Sequence, residues 1–192
     1  MQIFEKGLTD TDNNVRVASL KAVSAFLSSI EDQDIVMKFA NTLSLIIDIV
    51  TAALKHDEDQ GRVALESLAE LTTAHAEVWK SPSKLLTVIA EVLGHKEFED
   101  GTRAAAAEVV LALSGNMPAA LRKSPETKSM IFPAFVSMLM EVETDDSVWL
   151  EAQEDQDNLG KDPYSTAVNS LTRLCEDIGG KTTLECAQPL LG

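Results

Sequence analysis

The sequence repeats itself, and the period of the repeat decides what the chain can fold into. The stretch Asp12–Leu27, DNNVRVASLKAVSAFL, opens with an acidic, Asn-rich turn and then places an Arg just inside a helix and an Ala two positions later. Val15, Ala18, Ala22, Val23, Phe26 and Leu27 follow the spacing of one helical face. With Ala18 set in register with Ala64, Ala105 and Ala167, the position two before each Ala reads Arg16, Arg62, Arg103 and Ser165. The first two intervals are 46 and 41 residues, within the roughly 40 to 47 of a two-helix HEAT-type unit. The third is 62, so the last copy carries an insertion of about 20 residues.

Aromatics make up 5% of the chain and Ala and Leu are plentiful, with Gly and Pro mainly between periodic segments. That balance favours helices over sheets. The expected fold is all-α, a right-handed α-solenoid of antiparallel HEAT helix pairs in which a helix A is followed by a helix B.

Residues 1–30 form a partial repeat: Gln2 to Lys6 end an A helix, and a B helix runs from the turn at Gly7 to Thr11 as far as Ser29. Residues 31–80 are a full repeat, with A from Asp34 to Lys55 and B from Asp59 to Trp79. Ile35, Phe39, Leu43, Ile46, Ile47 and Val50 share the apolar face of that A helix. In the next repeat, residues 81–117, Ser81-Pro82 reads as an N-cap followed by proline at the first helical position. Its A helix ends at Gly94 and its B helix covers Gly101 to Ser114.

Residues 118–178 form a repeat with an acidic insertion at 143–161. Ser124-Pro125 repeats the cap signal, and Pro133 is expected to kink the A helix near Phe132. Asp162-Pro163 opens the B helix, and Gly179-Gly180 turns the chain into a terminal A helix within a partial repeat, 179–192. Natural solenoids end in polar caps and neither end shows one, so the chain reads as a fragment of a longer solenoid.

A formal charge of −15 argues against nucleic acid and for basic proteins as partners. No apolar run reaches the roughly 20 residues that cross a bilayer, and the N-terminus lacks the layout of a signal peptide. The expectation is a soluble, intracellular chain with no membrane partner. Cys175 and Cys186 fall among apolar residues of expected helices and read as reduced core thiols.

Spacing argues against catalysis and metal binding. DTDNNV at Asp10 begins like a calcium loop, but its sixth position is Val15 and its twelfth Lys21, so it reads as a helix-capping turn. GGKTT at Gly179 lacks the leading glycine and the preceding strand of a phosphate loop. His56, His75 and His95 stand on separate elements without a zinc motif, and no Ser or Cys has a base at a recognisable spacing. No enzyme activity, cofactor or metal is expected.

Three sets of residues are candidates for a role. Arg16, Arg62 and Arg103 read as a structural ladder. Each would pair with acids of the preceding turn (Asp10 or Asp12, Asp57 or Asp59, Glu99 or Asp100) and tie neighbouring repeats together. Glu66, Glu70, Glu108 and Asn169 fall at or beside equivalent positions of successive B helices, where a row of them could meet basic segments of a cargo. From Glu141 to Asp157 there are eight Asp or Glu and no Lys or Arg. This block supplies an acidic protein-binding loop of Glu143, Asp145, Asp146, Trp149, Glu151, Glu154, Asp155 and Asp157, in which Trp149 and Leu150 stand out among the charges.

The motif DNNVRVASLKAVSAFL, with its echoes at Gly61 to Leu71 and Gly101 to Leu111, resembles HEAT repeats. The acidic insertion, the B helix after it and the stretch LCEDIGGKTTLECAQPLL resemble the importin-β superfamily, specifically its karyopherin-beta-3 (importin-beta-3) branch of nuclear import receptors. The resemblance implies a receptor that shuttles between cytoplasm and nucleus through the pore. It implies B helices that hold basic cargo proteins, A helices that contact Phe-Gly nucleoporins, and release of cargo to the Ran GTPase. The acidic loop would then contact Ran or cargo. Phe-Gly contact would need a groove near Phe39 and Leu86, or near Leu86 and Phe135. A HEAT-repeat scaffold subunit of a phosphatase or chromosome-organising complex is the alternative.

Overall fold

The computed structural model describes residues 2–141 and 162–190. Among these residues ten α-helices follow in order: α1 (Gln2–Leu8), α2 (Asn13–Ser28), α3 (Gln33–Lys38), α4 (Leu43–His56), α5 (Glu58–His75), α6 (Ser83–Gly94), α7 (Asp100–Asn116), α8 (Pro118–Lys123), α9 (Phe132–Leu139) and α10 (Pro163–Ala187). No strand occurs among the described residues.

Acidic turns start many of these helices, because an aspartate can accept an N–H that the first turn leaves without a partner. Asp12 accepts from the Asn14 amide at 2.8 Å, Asp32 from Asp34 at 2.9 Å, Asp57 from Gln60 at 3.2 Å and Asp162 from Ser165 at 2.9 Å. Pro163 occupies the first turn of α10, where a missing N–H costs nothing.

The helices stack in two rows. α1, α4, α6 and α9 form the A row and α2, α5, α7 and α10 the B row; each helix packs on its neighbour in the row and on its partner across it. One continuous core runs between the rows through residues such as Leu27, Ile46, Leu68, Leu86, Val109 and Phe135. Each such side chain contributes about 1.5–3 kcal/mol of burial. The chain is therefore an all-α solenoid.

The register alanines explain how the B row closes up. Ala64 and Ala167 are fully buried and Ala105 nearly so. A methyl at these positions lets consecutive B helices approach closely. Ala18, their counterpart in α2, is exposed. The apolar face expected for α2 is accordingly corrected: Val17, Leu20, Val23, Ser24 and Leu27 are buried, while Val15, Ala18, Ala22 and Phe26 are exposed. Both faces of this helix are apolar, so periodicity alone does not choose between them.

Several helix boundaries also depart from the sequence reading. The A helix expected from Asp34 to Lys55 is interrupted by a 3₁₀ turn at Ala40–Thr42, where the Thr42 hydroxyl donates to the Phe39 carbonyl at 2.6 Å. Phe39 itself is buried against the rings of Phe4 and Phe26, at centroid distances of 6.2 and 6.4 Å. Ser81 is not a cap: α6 begins at Ser83 behind Pro82 and has no side-chain cap. Ser124 ends α8, a helix the sequence reading did not include, and in extended conformation precedes the helical stretch that opens at Pro125 as expected; its hydroxyl donates to Glu126. A π-helical turn, Thr127–Ile131, precedes Pro133, which sits in the first turn of α9. The widened turn takes up the disturbance that a proline causes inside a helix.

Gly179 turns the chain at φ 79°, a left-handed conformation that glycine alone adopts freely, and divides α10 into a B segment, 163–178, and a second segment. Cys186 is buried and Cys175 half-buried, and both are free thiols; burial pushes the Cys186 thiol up.

At Gly61 a B helix comes close to the backbone of its A partner. A Cβ there would stand 2.8 Å from the Leu54 Cα and 2.5 Å from its Cδ2. Gly61→Ala should therefore destabilise the fold by about 1–3 kcal/mol through overpacking. At Gly101 the nearest atom is the Arg62 guanidinium at 3.4 Å, so Gly101→Ala should be neutral or stabilising by up to about 1 kcal/mol. Thermal unfolding of the two variants checks the contrast, and equal melting temperatures would contradict this packing.

A candidate protein-binding groove on the B helices

At the N-terminal ends of the B helices the ladder arginines take three different courses. Arg62, half-exposed, donates to Asp59 in its own first turn at 2.7 Å and to Glu99 of the next repeat at 3.2 Å. Glu58 adds a parallel tie by accepting the Glu99 amide at 2.7 Å.

Arg103 departs from its expected partners, Glu99 and Asp100. It is 2% exposed and donates from Nε to the Leu93 carbonyl at 3.0 Å. Its two terminal nitrogens clasp Glu141 at 2.6 and 3.0 Å. A buried guanidinium needs a bidentate carboxylate and a further acceptor, and Glu141 with the last carbonyls of α6 supplies both. The hydrogen bonds from Arg103 thus lower the pKa of Glu141 from its ordinary carboxylate value.

Arg16 departs as well. It donates to Asn13 in its own helix rather than to Asp10 or Asp12, and its buried Nε has no hydrogen-bond partner among the described residues. Its counterpart acid in the next repeat, Glu58, is engaged elsewhere.

The C-terminal ends of the B helices are tied by different chemistry. His75 donates from Nε2 to the Leu27 carbonyl at 2.9 Å, joining α5 to α2. The Ser114 hydroxyl donates to Asp177 at 2.6 Å, joining α7 to α10.

Between these ties lies a groove of about 570 Å³ across α5, α7 and α10. Its floor is small and apolar (Ala69, Ala105, Ala112 and Gly115), and its walls carry Glu66, Glu70, Glu108 and Arg173. Three of the four residues singled out on the B helices are therefore brought together. Asn169 is exposed on α10 but does not line the groove. Arg173 escaped the sequence reading, although it lies six positions after Ala167, as Glu70 lies six after Ala64. Its guanidinium approaches Glu108 at 3.9 Å, and both side chains are more than half exposed.

Phe39, Leu86 and Phe135 are all buried core residues and offer no exposed surface. A smaller groove of about 280 Å³ is lined by Leu43 and Ile47 of α4, Trp79, and Lys84 of α6 among others. The acidic-loop residues Glu143, Asp145, Asp146, Trp149, Glu151, Glu154, Asp155 and Asp157 lie outside the described residues. Among the described residues no group of His, Cys, Asp and Glu could hold a metal ion, and no helix is long and apolar enough to cross a membrane.

The "IPO5-like, TPR repeats" family model matches residues 1–92 and the "Importin repeat" model matches residues 95–185. The two lie end to end in one chain and span nearly all of it. The chain belongs to the importin-β family. Importin subunit beta-3 of Saccharomyces cerevisiae is 23% identical over 186 residues, 94% of this chain and 17% of the relative. Solved structures of Kap121p show the same fold. The form bound to RanGTP superposes with a TM-score of 0.84 at 22% identity over 100% of this chain and 19% of Kap121p. The forms bound to Nup53p and to Pho4p give 0.84 at 23% identity, each over 99% of this chain and 19% of Kap121p. The chain thus spans less than a fifth of the length of these importin relatives.

The Arg103–Glu141 pair, at the edge of the insertion, makes stability pH-dependent. Glu141 has a folded pKa below its unfolded value of about 4.3. Its contribution is therefore complete above the unfolded value and is lost as pH falls through the folded one. Glu141→Gln should cost about 1–3 kcal/mol at neutral pH. The cost should shrink once the wild-type carboxylate is protonated. Chemical denaturation of both proteins at pH 7 and in acid measures this, and a pH-independent difference would contradict the assignment.

Proposed function

We propose that the chain is part of a nuclear transport receptor that binds import cargo, nucleoporins and the Ran GTPase to carry proteins into the nucleus. It acts by reversible binding rather than catalysis and shuttles between cytoplasm and nucleus. Membership of the importin-β family supports the reading, as do the complexes of Kap121p with RanGTP, Nup53p and Pho4p. The same membership speaks against the phosphatase or chromosome-organising scaffold.

The observation that carries the proposal in this chain is the B-row groove. Glu66, Glu70 and Glu108 stand on its walls above a floor of Ala and Gly. A lysine or arginine of a basic cargo can lay its aliphatic stem along such a floor and present its charge to the carboxylates. The smaller groove beside Trp79 suits a single aromatic side chain of a Phe-Gly nucleoporin. The acidic loop from Glu143 to Asp157 is proposed as a contact for Ran or for basic cargo, on the strength of its charge.

A fluorescently labelled Lys-rich peptide should bind this chain more weakly as salt is raised. In the triple variant Glu66→Gln/Glu70→Gln/Glu108→Gln its affinity should fall by about tenfold or more, as expected for three half-exposed ion pairs. Unchanged affinity at low salt would sink the groove as a cargo site. A receptor containing this segment should retain Ran in its GTP form and not in its GDP form, and equal retention would favour a scaffold.

A further inference from the structure

The groove is not uniformly acidic. Counting six positions from each register alanine gives Glu70 on α5, Leu111 on α7 and Arg173 on α10, and all three line it. Equivalent positions on successive, packed helices form a straight row. This row therefore reads acidic, apolar, basic.

The charges at its two ends are available to a ligand. Glu66 and Glu70 are exposed and have no ion-pair partner among the described residues. Among the described residues Arg173 forms an ion pair only with Glu108, at 3.9 Å and with 57% of its side chain exposed, which is too loose a pair to hold it. Neighbouring helices lie about 8–10 Å apart, so the two ends of the row are separated by about 16–20 Å. An extended peptide covers that distance in about five to six residues.

We propose that Arg173 makes the groove selective for an extended peptide carrying a basic and an acidic residue about five to six positions apart, with an apolar residue between them. The basic side chain lies against Glu66 and Glu70, the apolar one against Leu111 and the Ala floor, and the carboxylate takes Arg173 from Glu108. A peptide that is basic throughout would set its second charge against a guanidinium. Arg173 thus discriminates by repulsion as well as by attraction. The proposal rests on the reading of this groove as a cargo site and adds what that site selects.

The test is fluorescence anisotropy with labelled peptides bearing Lys, Leu and Asp at this spacing, made in both chain directions, and with matched peptides in which Lys replaces Asp. The wild-type chain should prefer one Lys–Leu–Asp peptide over its Lys–Leu–Lys match by about fivefold, the size of one half-exposed ion pair. Arg173→Glu should reverse that order, with circular dichroism and thermal unfolding unchanged.

An equal preference in the wild type, or the same order in Arg173→Glu, overturns the proposal. Glu66→Gln/Glu70→Gln separates the two levels of the argument. If it weakens every Lys-containing peptide while Arg173→Glu leaves the order unchanged, the cargo groove stands and the selectivity falls. If it changes no affinity, both fall.

Discussion

Close contact along the B row is the constraint on which the rest of this structure depends. Ala64, Ala105 and Ala167 bring each B helix against the one before it, and a larger side chain at any of them would separate the pair. Close approach keeps equivalent positions of successive helices in line. Arg62 can then reach Glu99, Ser114 can reach Asp177, and Glu70, Leu111 and Arg173 fall in one row. The A row has no such register. Its helices are irregular, broken at Ala40–Thr42 and widened at Thr127–Ile131, and they pack with larger side chains such as Phe39, Leu86 and Phe135.

The sequence therefore made the B row legible and the A row only in outline. Register alanines, aspartate caps and Gly179 are local signals whose physics is contained within a few residues, and helices were found where those signals stand. The 3₁₀ turn after Phe39 answers to a cluster of rings contributed by α1, α2 and the end of α3, which no local window contains. The buried face of α2 could not be chosen because both of its faces are apolar. Within the groove, three glutamates were visible as outward-facing acids at register positions. Arg173 was not, because the charge changes sign along the row and register acids carry no local sign of a base at the far end.

The three ladder arginines show how one sequence position can settle into different electrostatic solutions. Arg62 remains half-exposed and shares its charge between two exposed acids, so each bond is weakened by water. Arg103 is taken out of water and must satisfy its nitrogens within the protein, which it does through Glu141 and the Leu93 carbonyl. The larger commitment falls where the repeat period fails. Glu141 is the last described residue before the insertion, and Arg103 fixes that point to the B row.

The π turn at Thr127–Ile131 has a consequence for how the sequence around it is read. A single residue added to a helical turn advances the phase of everything after it by about 100°. Phe132, Phe135 and Met138 point into the core on the far side of that advance, while Thr127 and Ile131 point into it across the turn itself. The buried positions Thr127, Ile131, Phe135 and Met138 succeed one another at spacings of four, four and three, so one buried side runs from the turn into α9. A change in length within it would rotate α9 as a whole, and its effect would be felt at Phe135 and Met138 rather than where the residue was lost.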